Sequence, residues 1–498
     1  MSRPWSEMQT DIMMNKLPRW VGLQDNFVSY QQAPIAAPMF RREFTYAGKK
    51  PTQATVRFCG LGYGQLYLNG VLVTDGELEP SPSQYDKRCL YRTYQVQLVP
   101  GANAFGVILG NGPYNSEAED FWGGNTAIWR SNPKFFLELA VKGKVILEAD
   151  SRWRYTQDGP IRQNIWHCGE VYDYTKELPG WDKPGFDDSA WKQASVQPGP
   201  GGDLEEDPAP PVRVVEEFPI TEHIGNGLWD AGRVISGRVR ITARGEAGTK
   251  IRIRYSDILA KDGTFTQVNL GQFVHHDDFQ TEYFVLGKDR EREEWHSRFA
   301  FHCFRYVEVT MLGNAELLGL QAQVMRTGFE QIAQIETSLS DLNALNKCNL
   351  ASYEANFVGY PTDCPHREKN GWTGDAWLAS DTGLDYYASA TAYQRWIADM
   401  AAAQRLNGQT PAIVPCPGWG YNYGSGPLCD AALWEIPWNV YLHTGDSAPI
   451  KRHFDSFRRH LEYTASLADN GIITFGLGDL GTPNGTEAAP VPFVLTAT

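Results

Sequence analysis

Apolar residues recur with a period of two up to about residue 325, and at helical spacing from about residue 338 onward. Strand side chains alternate between faces and helical ones return about every 3.6 residues, so one layer cannot serve both patterns. A chain of 498 residues patterned this way is expected to place β domains first and a helical domain after them.

The β pattern begins near residue 35, after an N-terminal segment, 1–34. In VRFCGLGYGQLYLNGVLV (56–73), LYL and VLV flank Asn69-Gly70, the pair favoured at a type I′ turn. NAFGVILGNG (103–112) is a short apolar run bounded by turn residues, as in a buried sandwich strand. FFLELAVKGKVILEAD (135–150) predicts a hairpin turning at Lys142-Gly143. Residues 35–196 are expected to form an accessory β-sandwich. QPGPGGDLEEDPAPPV (197–212), rich in Pro, Gly and acid with little to bury, predicts a linker over 197–214.

β character then resumes. SGRVRITARGEAGTKIRIRYSDIL (236–259) alternates basic and β-branched residues, which predicts a half-exposed antiparallel sheet. TEYFVLG (281–287) and CFRYVEVTML (303–312) extend it into a second β-sandwich domain over 215–330. From 331 the chain is expected to be helical. Leu342, Leu345, Leu350, Tyr353 and Phe357 fall along one stripe, with Ser340 or Asp341 as cap. Tyr393, Ile397 and Met400 repeat at helical spacing. In 447–469, Ser447 is expected to cap, Pro449 to sit in the first turn, and Ile450, Phe454, Phe457 and Leu461 to form the buried face.

Composition excludes several function classes. A net charge of −14 offers no basic face for a nucleic-acid backbone. No run approaches the ~20 apolar residues of a membrane-spanning helix. The N-terminus, MSRPWSEMQTDIMMNKLPRW, has no apolar core of a secretion signal. The eight cysteines include no CxxC pair and read as reduced, mostly buried thiols, so neither zinc nor disulfides are expected and the location is expected to be cytoplasmic. VHHDDF (274–279) has metal-ligand residue types, but adjacent side chains on a strand point apart, which favours a solvated turn.

The densest chemistry lies at 361–377, PTDCPHREKNGWTGDAW, on the loop expected after the first long helix. Asp363, Glu368 and Asp375 stand beside Arg367, Trp372 and Trp377. Charges avoid apolar surroundings unless paired or employed. Glycoside hydrolysis needs two carboxyl groups, one holding its proton near neutral pH through partial desolvation. Glu368, near Pro365, Trp372 and Trp377, has the sequence setting for that role. Arg367 suits sugar hydroxyls but would lower the Glu368 pKa if it lay against it. Asp363 and Asp375 can accept hydroxyl hydrogen bonds, and Trp372 offers an apolar face to a sugar. On spacing alone a structural reading competes: Asp363 capping a turn, Asp375 capping a helix at Ala376, and Arg367–Glu368 as a surface pair.

DCPHREKNGWTGDA (363–376) resembles the signature loop of the inverting α-L-rhamnosidases, glycoside hydrolase family 78. GLGYGQLYLNG, YDKRCLYRTYQV, GVILGNGPY and CGEVYDYT are similar to that family's accessory, carbohydrate-binding-like sandwich. WDAGRVISGRVRI, DDFQTEYFVLG and FAFHCFRYVEV resemble its second β domain, and DAALWEIPWNVYLHTGD a later stretch of its barrel. The resemblance implies β-sandwich domains followed by an (α/α)6 barrel acting on rhamnose-containing glycosides. It makes Glu368 the general acid and places Asp363, Arg367, Trp372 and Asp375 around the rhamnose. Asp430 and Trp434 are expected to face the same pocket; Trp419, in PGWGYN, is either a pocket or a core residue. Some members of the family bind calcium, but acidic stretches such as DLEED (203–207) lack the ordered spacing of a calcium loop, and no cofactor is expected.

Two departures stand out. Gly478-Asp479-Leu480 replaces the family's GDW, and the chain stops at PVPFVLTAT (490–498), where the family's barrel is about half built. The family's general base, a downstream Glu, has no counterpart; Glu435 and Glu487 do not match its motif. The expectation is thus an incomplete (α/α)6 barrel whose open edge, near Phe493, Val494 and Leu495, promotes self-association. A rhamnosidase-type hydrolase and a non-catalytic rhamnoside-binding or scaffold protein both fit, and rhamnose release separates them.

Overall fold

The computed structural model describes residues 18–24, 35–268, 270–288, 291–421, 425–473 and 475–476. Most of the segment 1–34, Gly478-Asp479-Leu480, Glu487 and Phe493–Leu495 lie outside the described residues.

The accessory unit is a sandwich of a seven-stranded and a six-stranded sheet. Its core joins alternate residues of both inner faces, among them Phe40, Val56, Phe58, Leu66, Phe105, Val107, Phe135, Leu137 and Trp153. Both expected hairpins form. Asn69 and Gly70 take φ of 54° and 84°, and Lys142 and Gly143 take 50° and 76°, the left-handed pairs that a type I′ turn requires.

The stretch expected as a linker is instead part of this sandwich. Ser195–Gln197 pairs with Trp20–Gly22, and Asp203–Glu206 adds a parallel edge strand to Arg88–Leu98. The acidic composition that suggested a solvated tether is paired: Arg88 holds Glu205 at 2.9 Å and Arg92 holds Asp207 at 3.0 Å. A second difference concerns Ile161–Ile165 and Gly169–Asp173, expected in the accessory sandwich. They extend the next domain's sheet, Gly169–Asp173 lying parallel to Thr281–Val285.

That second β domain is a ten-stranded sheet centred on Leu228–Gly245, Lys250–Ser256, His302–Leu312 and Ala315–Thr327. It is less exposed than its alternation suggests. Arg238 is buried because its guanidinium bonds Glu77 of the accessory sandwich at 3.0 and 3.1 Å and the Ser297 carbonyl at 2.6 Å.

The helical unit comprises α1 (Ser340–Ala355), α2 (Thr373–Leu378), α3 (Ser380–Tyr386), α4 (Ala390–Ala403), α5 (Pro427–Asp430), α6 (Ala432–Thr444) and α7 (Ala448–Leu467) among the described residues. No helix among them is long and apolar enough to cross a membrane. Tyr393, Ile397 and Met400 of α4 pack with Leu433, Ile436 and Val440 of α6 in a core shared with the second β domain.

Two helical expectations fail. No side-chain cap forms at α1; Asn343 reaches back to Thr337 instead, its amide bonding both backbone groups at 2.8 Å. Leu342 and Leu345 are exposed, and only Tyr353 and Phe357 of that stripe are buried. On α7, Ser447 precedes the helix without a side-chain bond, and the buried face is Phe457 with His460, leaving Phe454 and Leu461 outside.

Candidate active site

The loop between α1 and α2 is tied at its neck by two backbone bonds. Asp363 N–H donates to the Asn370 carbonyl, and Lys369 N–H to the Cys364 carbonyl, both at 3.1 Å. Lys369 turns the chain with φ of 53°. Gly371 then runs against the 413–414 segment: Val414 N–H donates to its carbonyl at 2.9 Å, and a Cβ there would stand 2.0 Å from the Val414 oxygen. Only glycine fits that approach.

Lys369 anchors the loop. Its side chain is fully buried, and Nζ donates to the carbonyls of Phe301 at 2.7 Å and Trp166 at 3.0 Å while lying 4.1 Å from the centre of the Phe301 ring. Burial pushes the ammonium down to about 7. His167, pushed down to about 3 by burial and then by Lys369, is neutral and donates from Nε2 to the Glu368 carbonyl at 3.1 Å. The second β sheet thereby grips the residues on which the acid is mounted.

Glu368 is half-buried. The Trp372 indole N–H donates to its Oε2 at 2.7 Å, fixing the orientation of the carboxyl. Burial raises its proton affinity above the ordinary carboxylate value, against the pull of the Trp372 hydrogen bond, the Arg367 charge and a hydrogen bond with Asp363; Asp375 adds to the rise. Asp363 is pushed up to about 8 by burial and then by the Glu368 charge. Polar atoms of Asp363, Cys364 and Glu368 lie within 4.8 Å of one another. Three such groups resemble a cation site, but ligand groups must shed their protons. Here burial holds both Asp363 and the Cys364 thiol in their protonated forms near neutrality. The cluster is built to keep a proton.

Of the predicted residues, Asp363, Arg367, Glu368, Trp372 and Asp375 act on one another in this cluster. Asp375 sits in the first turn of α2, which begins at Thr373 rather than Ala376. Trp377 turns away and donates to the Leu428 carbonyl at 2.7 Å. Trp419 belongs with the site, edge-on to Trp372 at 5.6 Å. Asp430 and Trp434 gather instead around His460: Asp430 Oδ2 accepts from Ser425 Oγ and Gly426 N–H, 3.8 Å from His460 Nε2, and the Trp434 ring lies 5.0 Å from that imidazole. Glu435 is in the first turn of α6.

Sequence reasoning missed Lys369, His167 and the aromatic residues Phe121, Trp122 and Phe273 that reach the site from both β domains. Lys369 was legible in principle, as a cation inside a Trp-flanked loop. Nothing local marks the others.

Two β units clamped on a helical unit, with a half-buried carboxyl pair of raised proton affinity where all three meet, is the architecture of a multidomain glycoside hydrolase. Residues 49–216 match the α-L-rhamnosidase N-terminal domain, 222–327 the bacterial α-L-rhamnosidase concanavalin-like domain, and 330–497 the bacterial α-L-rhamnosidase six-hairpin glycosidase domain. An α-L-rhamnosidase of Streptomyces avermitilis is 31% identical over 93% of this chain and 45% of its own length. The structure of the α-L-rhamnosidase from Dictyoglumus thermophilum superposes with a TM-score of 0.84 at 30% identity, covering 95% of this chain and 54% of that one. The Streptomyces avermitilis structure, in complex with L-rhamnose, gives 0.83 at 30% identity, covering 91% and 44%. The chain belongs to the α-L-rhamnosidases of glycoside hydrolase family 78. It spans about half the length of these relatives.

Proposed function

We propose that this chain carries the acid half of an inverting α-L-rhamnosidase site that releases terminal L-rhamnose from rhamnosides. The observation that supports it is Glu368, oriented by Trp372 and with its proton affinity raised by burial. The relatives it matches are named as α-L-rhamnosidases, which disfavours the scaffold alternative.

Glu368 gives its proton to the glycosidic oxygen as the C1–O bond breaks. Asp363 is not the second catalytic group. Inverting carboxyls stand about 6.5–9.5 Å apart to admit water, whereas polar atoms of Asp363 and Glu368 lie within 4.8 Å. A nucleophilic role, which suits shorter separations, needs an ionised carboxylate, and Asp363 titrates at about 8. Its hydrogen bond to Glu368 instead lowers that carboxyl's proton affinity, against the rise that burial causes.

The test uses aryl α-L-rhamnosides with the purified chain, with and without azide as an external nucleophile in place of activated water. Product of β configuration, β-L-rhamnose or β-L-rhamnosyl azide, is expected; E368Q should lose most of the rate on poor leaving groups and less on activated ones. Equal losses on both would refute the acid role. Exposed apolar residues of α6 and α7, Trp438, Leu442, Phe454 and Leu461, support self-association, which light scattering tests. Eight unpaired cysteines suit a reducing, cytoplasmic setting.

A further inference from the structure

From the rings that line the acid's side of the site, we infer that the accessory sandwich supplies the leaving-group subsite, with Phe121 as the residue that selects flat aryl aglycones. The inference rests on the rhamnoside reading above.

The accessory loop is fixed where it meets the other domains. Glu119–Asp120 pairs antiparallel with Val274–His275 of the second β domain, and Phe121 N–H donates to the Phe273 carbonyl at 3.0 Å. Asp120 closes the loop on itself, its carboxylate accepting from Trp122 N–H at 2.9 Å and Gly124 N–H at 3.1 Å. On this base stands a continuous set of rings from all three domains. Phe121 lies 6.1 Å from Phe273 and 6.1 Å from Trp419; Trp122 lies 5.1 Å from Phe273; Trp419 lies 5.6 Å from Trp372, the residue that holds Glu368.

Direction follows from the chemistry. The departing oxygen must sit against Glu368, so the aglycone extends into space that Glu368 borders. Glu368 lines one cavity together with Asp120, Trp122 and Gly124 of this loop. Trp122 and Trp372 are buried, but Phe121 is 64% exposed on a backbone held from both sides. An exposed aromatic ring on a fixed mount, joined to the acid through Trp419 and Trp372, is a stacking surface at the outer end of that ring set. The Asp120 carboxylate is spent on loop closure and the rings supply no hydroxyl or charged group, so the platform suits a flat apolar ring better than a second sugar.

Methyl and 2-naphthyl α-L-rhamnoside, titrated against the intact chain by calorimetry, test this. The naphthyl glycoside should bind more tightly, and F121A should reduce that advantage by roughly three- to tenfold, the range of one aromatic pair. F121W should restore it. Phe121 is on the surface, so F121A is expected to fold. Equal binding of the two glycosides, or a uniform loss with F121A, would overturn the inference while leaving the rhamnoside reading standing. A Phe121-dependent gain for a rhamnosyl-glucoside instead of the naphthyl glycoside would overturn the choice of an aryl group. Failure of the parent chain to bind rhamnose or either glycoside would refute the rhamnoside reading and this inference together.

Discussion

Replacing Lys369 with methionine tests how the acid loop is held. The ammonium bridges carbonyls of two strand-bearing segments, Trp166 and Phe301, and burial lowers it from 10.5 to about 7. The unfolded chain keeps this proton up to about pH 10.5, the folded chain only to about pH 7. Stability associated with the group is therefore fully present above the unfolded value and is lost as pH falls through about 7. Near 1.4 kcal/mol per pH unit, rounded off where the folded group half-titrates, the difference between pH 7 and pH 9 is about 2 kcal/mol.

K369M keeps an unbranched side chain but removes the ammonium over the Phe301 ring and its hydrogen bonds, leaving two buried carbonyls short of a partner at about 1–3 kcal/mol each. It also abolishes the titration. The variant should be destabilised at both pH values, with the gap widening by about 2 kcal/mol from pH 7 to pH 9. His167, facing Lys369, titrates at about 3 and stays silent in this window. Urea unfolding followed by tryptophan fluorescence, at both pH values for both proteins, reads the gap directly. A gap that does not change with pH would mean the ammonium stays charged throughout, and the reasoning from burial would be wrong.

Two further substitutions probe the carboxyls. W372F removes the N–H that stabilises the charged form of Glu368, so its pKa should rise further; the alkaline limb of rhamnoside hydrolysis should move to higher pH while the rate falls about tenfold. A limb that stays put or moves down would show that Trp372 does not hold the acid in solution. Asp430 is pushed up to about 8 by burial, so stability from this group is full below its unfolded value and declines as pH rises toward 8. D430N keeps an oxygen for Ser425 and Gly426 and should stabilise the chain at pH 7 by about 1–2 kcal/mol, with rhamnose affinity unchanged. A loss of rhamnose affinity would place Asp430 in the sugar pocket after all.

The acid loop was conspicuous because its chemistry is compressed into one contiguous run, but spacing alone left capping and surface-pair roles open, and the resemblance to the family's signature loop decided between them. The β-to-helix switch was readable for a similar reason: period is a local property, and Asn69-Gly70 or Tyr393–Ile397–Met400 announce their geometry without reference to distant parts. What escaped depends on partners far along the chain. Asp203–Glu206 has the composition of a tether, and only Arg88 and Arg92, more than a hundred residues earlier, make it a strand. Phe454 and Leu461 carry the right spacing for a buried face, yet α7 meets α4 and α6 through Phe457 and His460, because a stripe states that a helix has an apolar side and not which neighbour reaches it.

The same limit explains why the site looked simpler in the sequence than it is. Glu368 was found as an acid surrounded by its own loop, but three of the features that make it one come from elsewhere. His167 bonds its carbonyl, the Phe301 and Trp166 carbonyls bind its neighbour Lys369, and the 119–124 loop walls the cavity it borders. These contacts all come from the β domains. They are therefore structural components of the acid's environment, and removing them should raise the exposure of Glu368 and lower its proton affinity, since burial is the largest cause of the rise. A helical unit expressed without its β partners would keep every residue of the signature loop and still lose the burial that raises the proton affinity of Glu368, on which the proposed chemistry depends.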